Sequence, residues 1–218
     1  MQKVLKQSLK DIFSKDVLVF VLQVGFVSLI LASLFIWYFW EGLSSFIVSY
    51  LSWIPWEWLQ TSGAYVITLA LAYMIFISTV SLFTSLWSEK LLIKIAKKHY
   101  PDIPVIGTAS LHTSIFLTLK ATIVFLALFM LSIPFLFIPV LGQIVMLYLW
   151  SILIKEPTMY DVHSLFIAKD KKKFLRKKST FLSMLASLFN YIPIANIFAP
   201  VFAQILFLHH ILMYQSKA

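Results

Sequence analysis

Two uncharged apolar stretches in this chain are each broken near the middle by an Ile-Pro pattern, which limits what either stretch can fold into. The first stretch, residues 121–154, is interrupted at Ile138-Pro139-Val140-Leu141-Gly142-Gln143. The second, residues 179–216, is interrupted 54 residues further on, at Ile192-Pro193-Ile194-Ala195-Asn196-Ile197. Proline has no backbone donor and its ring clashes with the preceding turn, so a helix stops or kinks there. A helix that stops inside hydrocarbon exposes peptide groups that lipid cannot satisfy. Such a stop survives only when buried in protein or beside water. Two copies point to a duplicated re-entrant device, an element of the kind that handles solutes.

That the breaks lie in lipid follows from the composition. Of 218 residues, 61% are hydrophobic and 12% charged, where a soluble domain carries about a quarter charged residues. The expectation is an integral membrane protein with little room for a separate soluble domain. The absence of cysteine excludes disulfides, thiolate nucleophiles, iron–sulfur clusters and thiol zinc sites. Lys3, Lys6, Lys10 and Lys15 precede an apolar run over 17–40, but no small-x-small cleavage site follows, so a retained first helix is expected.

Charge position then sets the topology. Residues 17–40 and 58–88 are also free of Asp, Glu, Lys and Arg. The first spans about 36 Å as a helix. The second is expected to begin near Gly63, after a loop holding Trp53, Trp56 and Trp58. Long transmembrane helices over 17–40 and 63–88 place residues 1–16 and 89–120 on one side. All 18 cations fall in the N-terminus, in 89–120, in 155–178 and at Lys217. If both broken stretches go in and return, every cation lies on one face, which the positive-inside rule makes cytoplasmic. Both termini are then cytoplasmic. The net charge of +9 describes a membrane face, with the Lys169–Lys178 cluster fixing topology beside lipid head groups, and no nucleic-acid partner is expected.

Arm length gives the kind of hairpin. Residues 121–133 and 143–154 make arms of about 20 and 18 Å, against a hydrocarbon core of about 30 Å. The fold class expected is therefore an all-α integral membrane protein, with two long transmembrane helices and two Pro-broken, partly penetrating hairpins at 108–154 and 179–214. A basic loop, 155–178, separates the hairpins. The second long helix continues as an amphipathic extension over 89–100. There Leu91, Leu92 and Ile95 share a face, and Tyr100-Pro101 ends the helix.

The two Ile-Pro breaks, with Trp150, Tyr160-Asp161, Ser88-Glu89-Lys90-Leu91 and Pro200 around them, resemble the CysZ-like sulfate permease family. That family shares a domain with the eukaryotic etoposide-induced membrane proteins. The resemblance covers most of the chain from about residue 80 onward. It implies two long helices with two partly penetrating hairpins, a homo-oligomer in the bacterial inner membrane, and passage of sulfate. Sulfate-handling members carry a Gly-Leu pair and paired arginines before the first long helix. Here that region reads Ser8-Leu9-Lys10-Asp11-Ile12-Phe13-Ser14-Lys15-Asp16-Val17, and lysine offers an anion a point charge without the bidentate fork of arginine.

For a small inorganic anion the candidate groups are those of the breaks. Pro139 and Pro193 end the helices, and new helices are expected to start near Gly142 and Asn196. Helix N-termini present backbone donors and partial positive charge to anions. Gln143, Asn190, Asn196 and Gln204 add amides, which equally serve to satisfy a broken backbone. Glu89 and Lys90 stand where a long helix leaves the membrane, as an exit lining or as an interfacial charge pair. His209-His210 point about 100° apart on a helix, and Asp161 and His163 match no ligand spacing, so no metal site or cofactor is expected. No P-loop, GxGxxG or HExxH occurs, and an enzyme is the least supported class. An anion permease or channel is the leading reading. A non-transporting membrane-organising or assembly protein of the same fold is the alternative.

Overall fold

The computed structural model describes residues 2–53, 55–136, 138–167, 176–192 and 195–215. Every regular element among them is helical: α1 Gln2–Ile12, α2 Lys15–Tyr50, α3 Glu57–Trp87, α4 Glu89–His99, α5 Leu111–Leu136, α6 Leu141–Phe166, α7 Arg176–Ser187 and α8 Ala199–Gln215, with 3-10 turns at Leu188–Tyr191 and Ala195–Phe198. Four segments are long and apolar enough to cross a membrane: α2, α3, Leu111–Phe135 and Ala195–Gln215. The protein is an all-α membrane protein.

The two long helices exceed their uncharged blocks. α2 runs on past Glu41 to Tyr50, and α3 begins at Glu57 rather than near Gly63. One charged residue does not end a helix whose backbone bonds are intact. The same reasoning corrects the loop expected over 155–178, because α6 continues through Lys155, Glu156 and Pro157 to Phe166. The arms of the first hairpin are therefore 26 residues each, about 39 Å, twice the length of their apolar blocks. α1, which buries Val4, Ser8, Asp11 and Ile12 along one side, was not separated from the N-terminal tail by sequence reasoning.

Pro139 does make the first break. α5 ends at Leu136 and α6 starts at Leu141, with the Leu141 amide donating to Pro139 O and the Gly142 amide to Ile138 O. Val140 has φ 66°, a left-handed value uncommon for a β-branched residue, so the turn is tight enough to hold it there. Pro134 stays within α5 and does not stop it. Pro193 lies outside the described residues. On its far side Asn196 sits in a 3-10 turn, and α8 itself starts at Ala199, three residues later than the expected start.

Contacts give the level of each hairpin tip along α3. The Trp150 ring meets Tyr73 edge-on at 6.3 Å, and Ser85 bonds Asp161, so α6 and α3 run parallel. Gln143 lies seven residues before Trp150, about 10 Å nearer the start of α3. That leaves the first turn of α3 about 14 Å beyond the tip. Asn196, at the second tip, bonds Tyr73 near the middle of α3. Beyond both tips α2 pairs with α3, where Trp40 stacks on Tyr65 at 6.0 Å. Exposed Trp37, Tyr38, Trp53, Trp56 and Trp58 surround that end, as aromatic residues do at a membrane–water boundary.

α8 is the central element. Ala199 through His209 are all buried, as expected of a helix apolar on every side. α1, α4, α6 and α7 pack on it. A second core joins α3 to the first hairpin through Met74, Ile77, Phe125, Phe129, Trp150 and Leu153. The α4–α5 link is tied to the end of α6 by Ile106 N donating to Leu165 O at 2.9 Å and Ser110 N donating to Tyr160 Oη at 3.1 Å. Gly107 allows this approach, since a Cβ there would stand 2.6 Å from the Ser164 carbonyl oxygen. Gly107→Ala is expected to cost about 1–3 kcal/mol by overpacking, read as a lower Tm in detergent. An unchanged Tm would mean that the link slides free of α6 at little cost.

Candidate functional site

α3 and its C-terminal cap carry Ser78, Ser81, Ser85 and Ser88 at spacings of three, four and three, which places them on one face of a helix. All four are buried, with Thr84 alongside. Small side chains let neighbouring helices approach closely, and α5, α6 and α8 do so. The result is a polar seam inside an apolar bundle.

Asp161 is its hub. The carboxylate is 2% exposed and accepts from Ser85 Oγ of α3 at 2.6 Å, from Ser114 Oγ of α5 at 3.0 Å and from Gln204 Nε2 of α8 at 3.1 Å. One side chain of α6 thus binds three other helices. Glu89, half-buried at the start of α4, is near enough for its charge to act on Asp161. Other polar atoms along the seam are less committed. The hydroxyls of Ser78, Thr84, Ser88 and Thr118 and the Gln204 carbonyl oxygen are buried without a hydrogen-bond partner among the described residues.

At its inner end the seam meets the hairpin tips. Asn196, 4% exposed, donates from Nδ2 to the Tyr73 hydroxyl. Tyr73 also borders an open cleft of about 280 Å³ between α2 and α3, lined with Leu29, Ser33, Ala72 and Phe76. The Tyr191 hydroxyl donates to the Gln143 carbonyl, joining one tip to the other. Gly142 is buried in the first turn of α6, and the Gln143 side chain is exposed. Both polar atoms of the Asn190 amide are buried without a partner among the described residues.

Of the residues expected from sequence, Asn196 and Gln204 therefore face the seam, Asn190 and Gln143 stand at the tips, and Glu89 lies at the outer end. Lys90 is exposed and joins nothing in the seam. Most of the Lys169–Lys178 cluster falls outside the described residues. Sequence reasoning missed Asp161, because its partners lie 76, 47 and 43 residues away and are neutral. The available signal was the serine spacing on α3.

A second polar cluster stands where α1, α4 and α8 meet. Asp11, buried on α1, has His209 Nε2 at 2.8 Å and His99 Nε2 at 2.9 Å from Oδ2. Gln7 Nε2 lies 2.8 Å from His99 Nδ1, and the Tyr100 hydroxyl 3.1 Å from His209 Nδ1. Burial pushes the Asp11 carboxyl up, but the hydrogen bonds and charges of His209 and His99 outweigh it and hold the group below its ordinary value. Burial, then the Asp11 charge, raise the Tyr100 phenol, so its hydroxyl keeps its proton. His209 thus finds its partner on α1, not in the adjacent His210.

Comparisons with curated proteins and with solved structures gave no match. One family profile, described as sulfate transporter CysZ/etoposide-induced protein 2.4, matches residues 4–200. That range takes in the first hairpin, the first arm and tip of the second, the α3 seam and Asp161, and on it the chain belongs to the CysZ/etoposide-induced protein 2.4 family.

Proposed function

We propose that the protein is a permease or channel for a small inorganic anion, sulfate by its family, in the inner membrane of a bacterium. Both termini face the cytoplasm, the hairpins penetrate part way, and the unit works as a homo-oligomer. The observation that carries this reading is the seam itself. Hydroxyls and amides with uncommitted hydrogen-bonding capacity run from the Asn196–Tyr73 pair to Ser88, beside the exposed cations of α4. Buried polar groups without partners are costly, and a hydrated solute passing along the seam would satisfy them.

Electrostatics fit a neutral-donor pathway. Asp161 is committed to Ser85, Ser114 and Gln204, which leaves the neutral hydroxyls of Ser78, Thr84, Ser88 and Thr118 for a solute. Lys90, Lys94, Lys97 and Lys98 on α4 concentrate anions at the outer end. No nucleotide-binding motif is present in the sequence, so movement down an electrochemical gradient is the simplest driving force.

Sulfate uptake into liposomes containing the protein, measured against empty vesicles, tests the reading. Uptake above background is expected, and Asn196→Leu should lower it about tenfold, equivalent to about 1.4 kcal/mol of lost orientation. The alternative, a non-transporting membrane-organising protein, gains support from the burial of Asn196 against Tyr73, which shuts the tip. Uptake no greater than in empty vesicles would favour it and defeat the sulfate reading.

A further inference from the structure

The cluster between α1, α4 and α8 takes no part in the seam, and its donor set has a chemistry of its own. We infer that Asp11, His99 and His209 form a binding site for a divalent transition metal of the zinc type, fastening the N-terminal helix to α4 and α8. One carboxylate oxygen and two imidazole nitrogens lie within 4.8 Å of one another. In a tetrahedral zinc site, bonds of about 2.0–2.1 Å put neighbouring ligand atoms about 3.3 Å apart. The present separations of 2.8 and 2.9 Å need to open by only about half an ångström.

The outer contacts can hold both rings in the orientation that a metal needs. Histidine that binds a metal through one ring nitrogen holds the other with a partner that fixes the ring. The Tyr100 hydroxyl oxygen meets that condition for His209 by accepting from Nδ1–H, and Gln7 meets it for His99 once its amide turns to bring Oε1, in place of Nε2, to Nδ1–H; both rings present Nε2 to Asp11. His209 is fully buried, while the His99 side chain is 17% exposed. Water therefore reaches one side of the cluster and supplies the fourth ligand. Lys98 Nζ, 3.7 Å from Asp11, competes for the carboxylate, but its side chain is 62% exposed and can swing into solvent. The ligands come from the two ends and the middle of the chain, so a bound ion cross-links segments 88 and 198 residues away from Asp11.

The test uses the full chain in detergent, purified without a histidine tag, stripped by chelator and titrated with Zn2+ by calorimetry. One saturable ion per chain is expected, with a Tm that rises on loading. Asp11→Asn and His209→Gln should abolish both effects. His112→Gln and His210→Gln should retain them. Tyr100→Phe and Gln7→Leu leave the ligands in place and are expected to weaken affinity about 10-fold or more. They decide the matter if a ligand variant fails to fold by circular dichroism and gel filtration. Co2+ in place of Zn2+ should give the visible bands of a four-coordinate site. No saturable binding by the wild type, or binding unchanged in His209→Gln, would overturn the inference and leave a hydrogen-bonded ion pair.

Discussion

Asp161→Ala is expected to lower stability by about 2–4 kcal/mol, the largest loss of any polar substitution in the bundle. Two terms oppose each other. Removing the carboxyl group relieves the cost of burying a polar group at 2% exposure. It also deletes three hydrogen bonds and leaves buried donors without a partner, each costing about 1–3 kcal/mol. The second term wins, because three donors on three different helices lose their partner at once. Ser85 and Ser114 recover part of the loss by turning to a carbonyl of their own helix, as helical serine does. The Gln204 amide has no such route. Asp161→Asn keeps an acceptor for Ser85 and Gln204 and can donate to the Ser114 oxygen, so it should cost less than half as much. Thermal unfolding in detergent, followed by tryptophan fluorescence, measures the change. In a double-mutant cycle, Ser85→Ala should cost less in the Asp161→Ala background than in the wild type. Additive losses would show that Asp161 is not the hub.

What could be read in advance follows from the range of each interaction. Pro139 acts on its own backbone, so the break between α5 and α6 was legible from residues 138–143 alone. The level of the hairpin tips along α3 was not. It depends on Trp150 meeting Tyr73 and Asn196 meeting Tyr73, contacts across 77 and 123 residues. Arm lengths read from uncharged blocks were too short, because Lys155 and Glu156 interrupt hydropathy without interrupting the hydrogen bonding of α6. Among the polar groups, Asn196 and Gln204 were visible as amides in apolar sequence. Asp161 could be seen only as a lone acid next to Tyr160, and Asp11 only as one charge among the lysines of α1. Buried carboxylates are chosen by their donors, and the serine spacing on α3 marks a polar face without pointing to the acid that meets it. The resemblance to a known family rested on local motifs, which is why it held while the ligand residues stayed open.

The packing that holds the second tip in place should fail when Trp150 is truncated. Trp150 is 3% exposed, lies 5.1 Å from the Phe125 ring and meets Tyr73 edge-on. In a water-soluble core, Trp→Ala costs about 3–5 kcal/mol. Lipid is as apolar as the cavity that would form, so the transfer part of that cost shrinks and the lost contacts remain. A loss of about 2–4 kcal/mol is expected for Trp150→Ala. Its consequence for the site is more specific than its consequence for stability. Tyr73 would lose the ring that limits its rotation, and the hydrogen bond to Asn196 depends on that rotamer. Amide exchange over residues 195–198 should therefore speed up in Trp150→Ala, while exchange in α1 and α4, which belong to the other core, stays near wild type. Trp150→Phe keeps an aromatic edge beside Tyr73 and should preserve both the tip and most of the stability. If Trp150→Ala loosens α1 and α4 as much as the tip, the two cores unfold as one. The Asn196–Tyr73 contact would then have no separate opening through which a solute could pass.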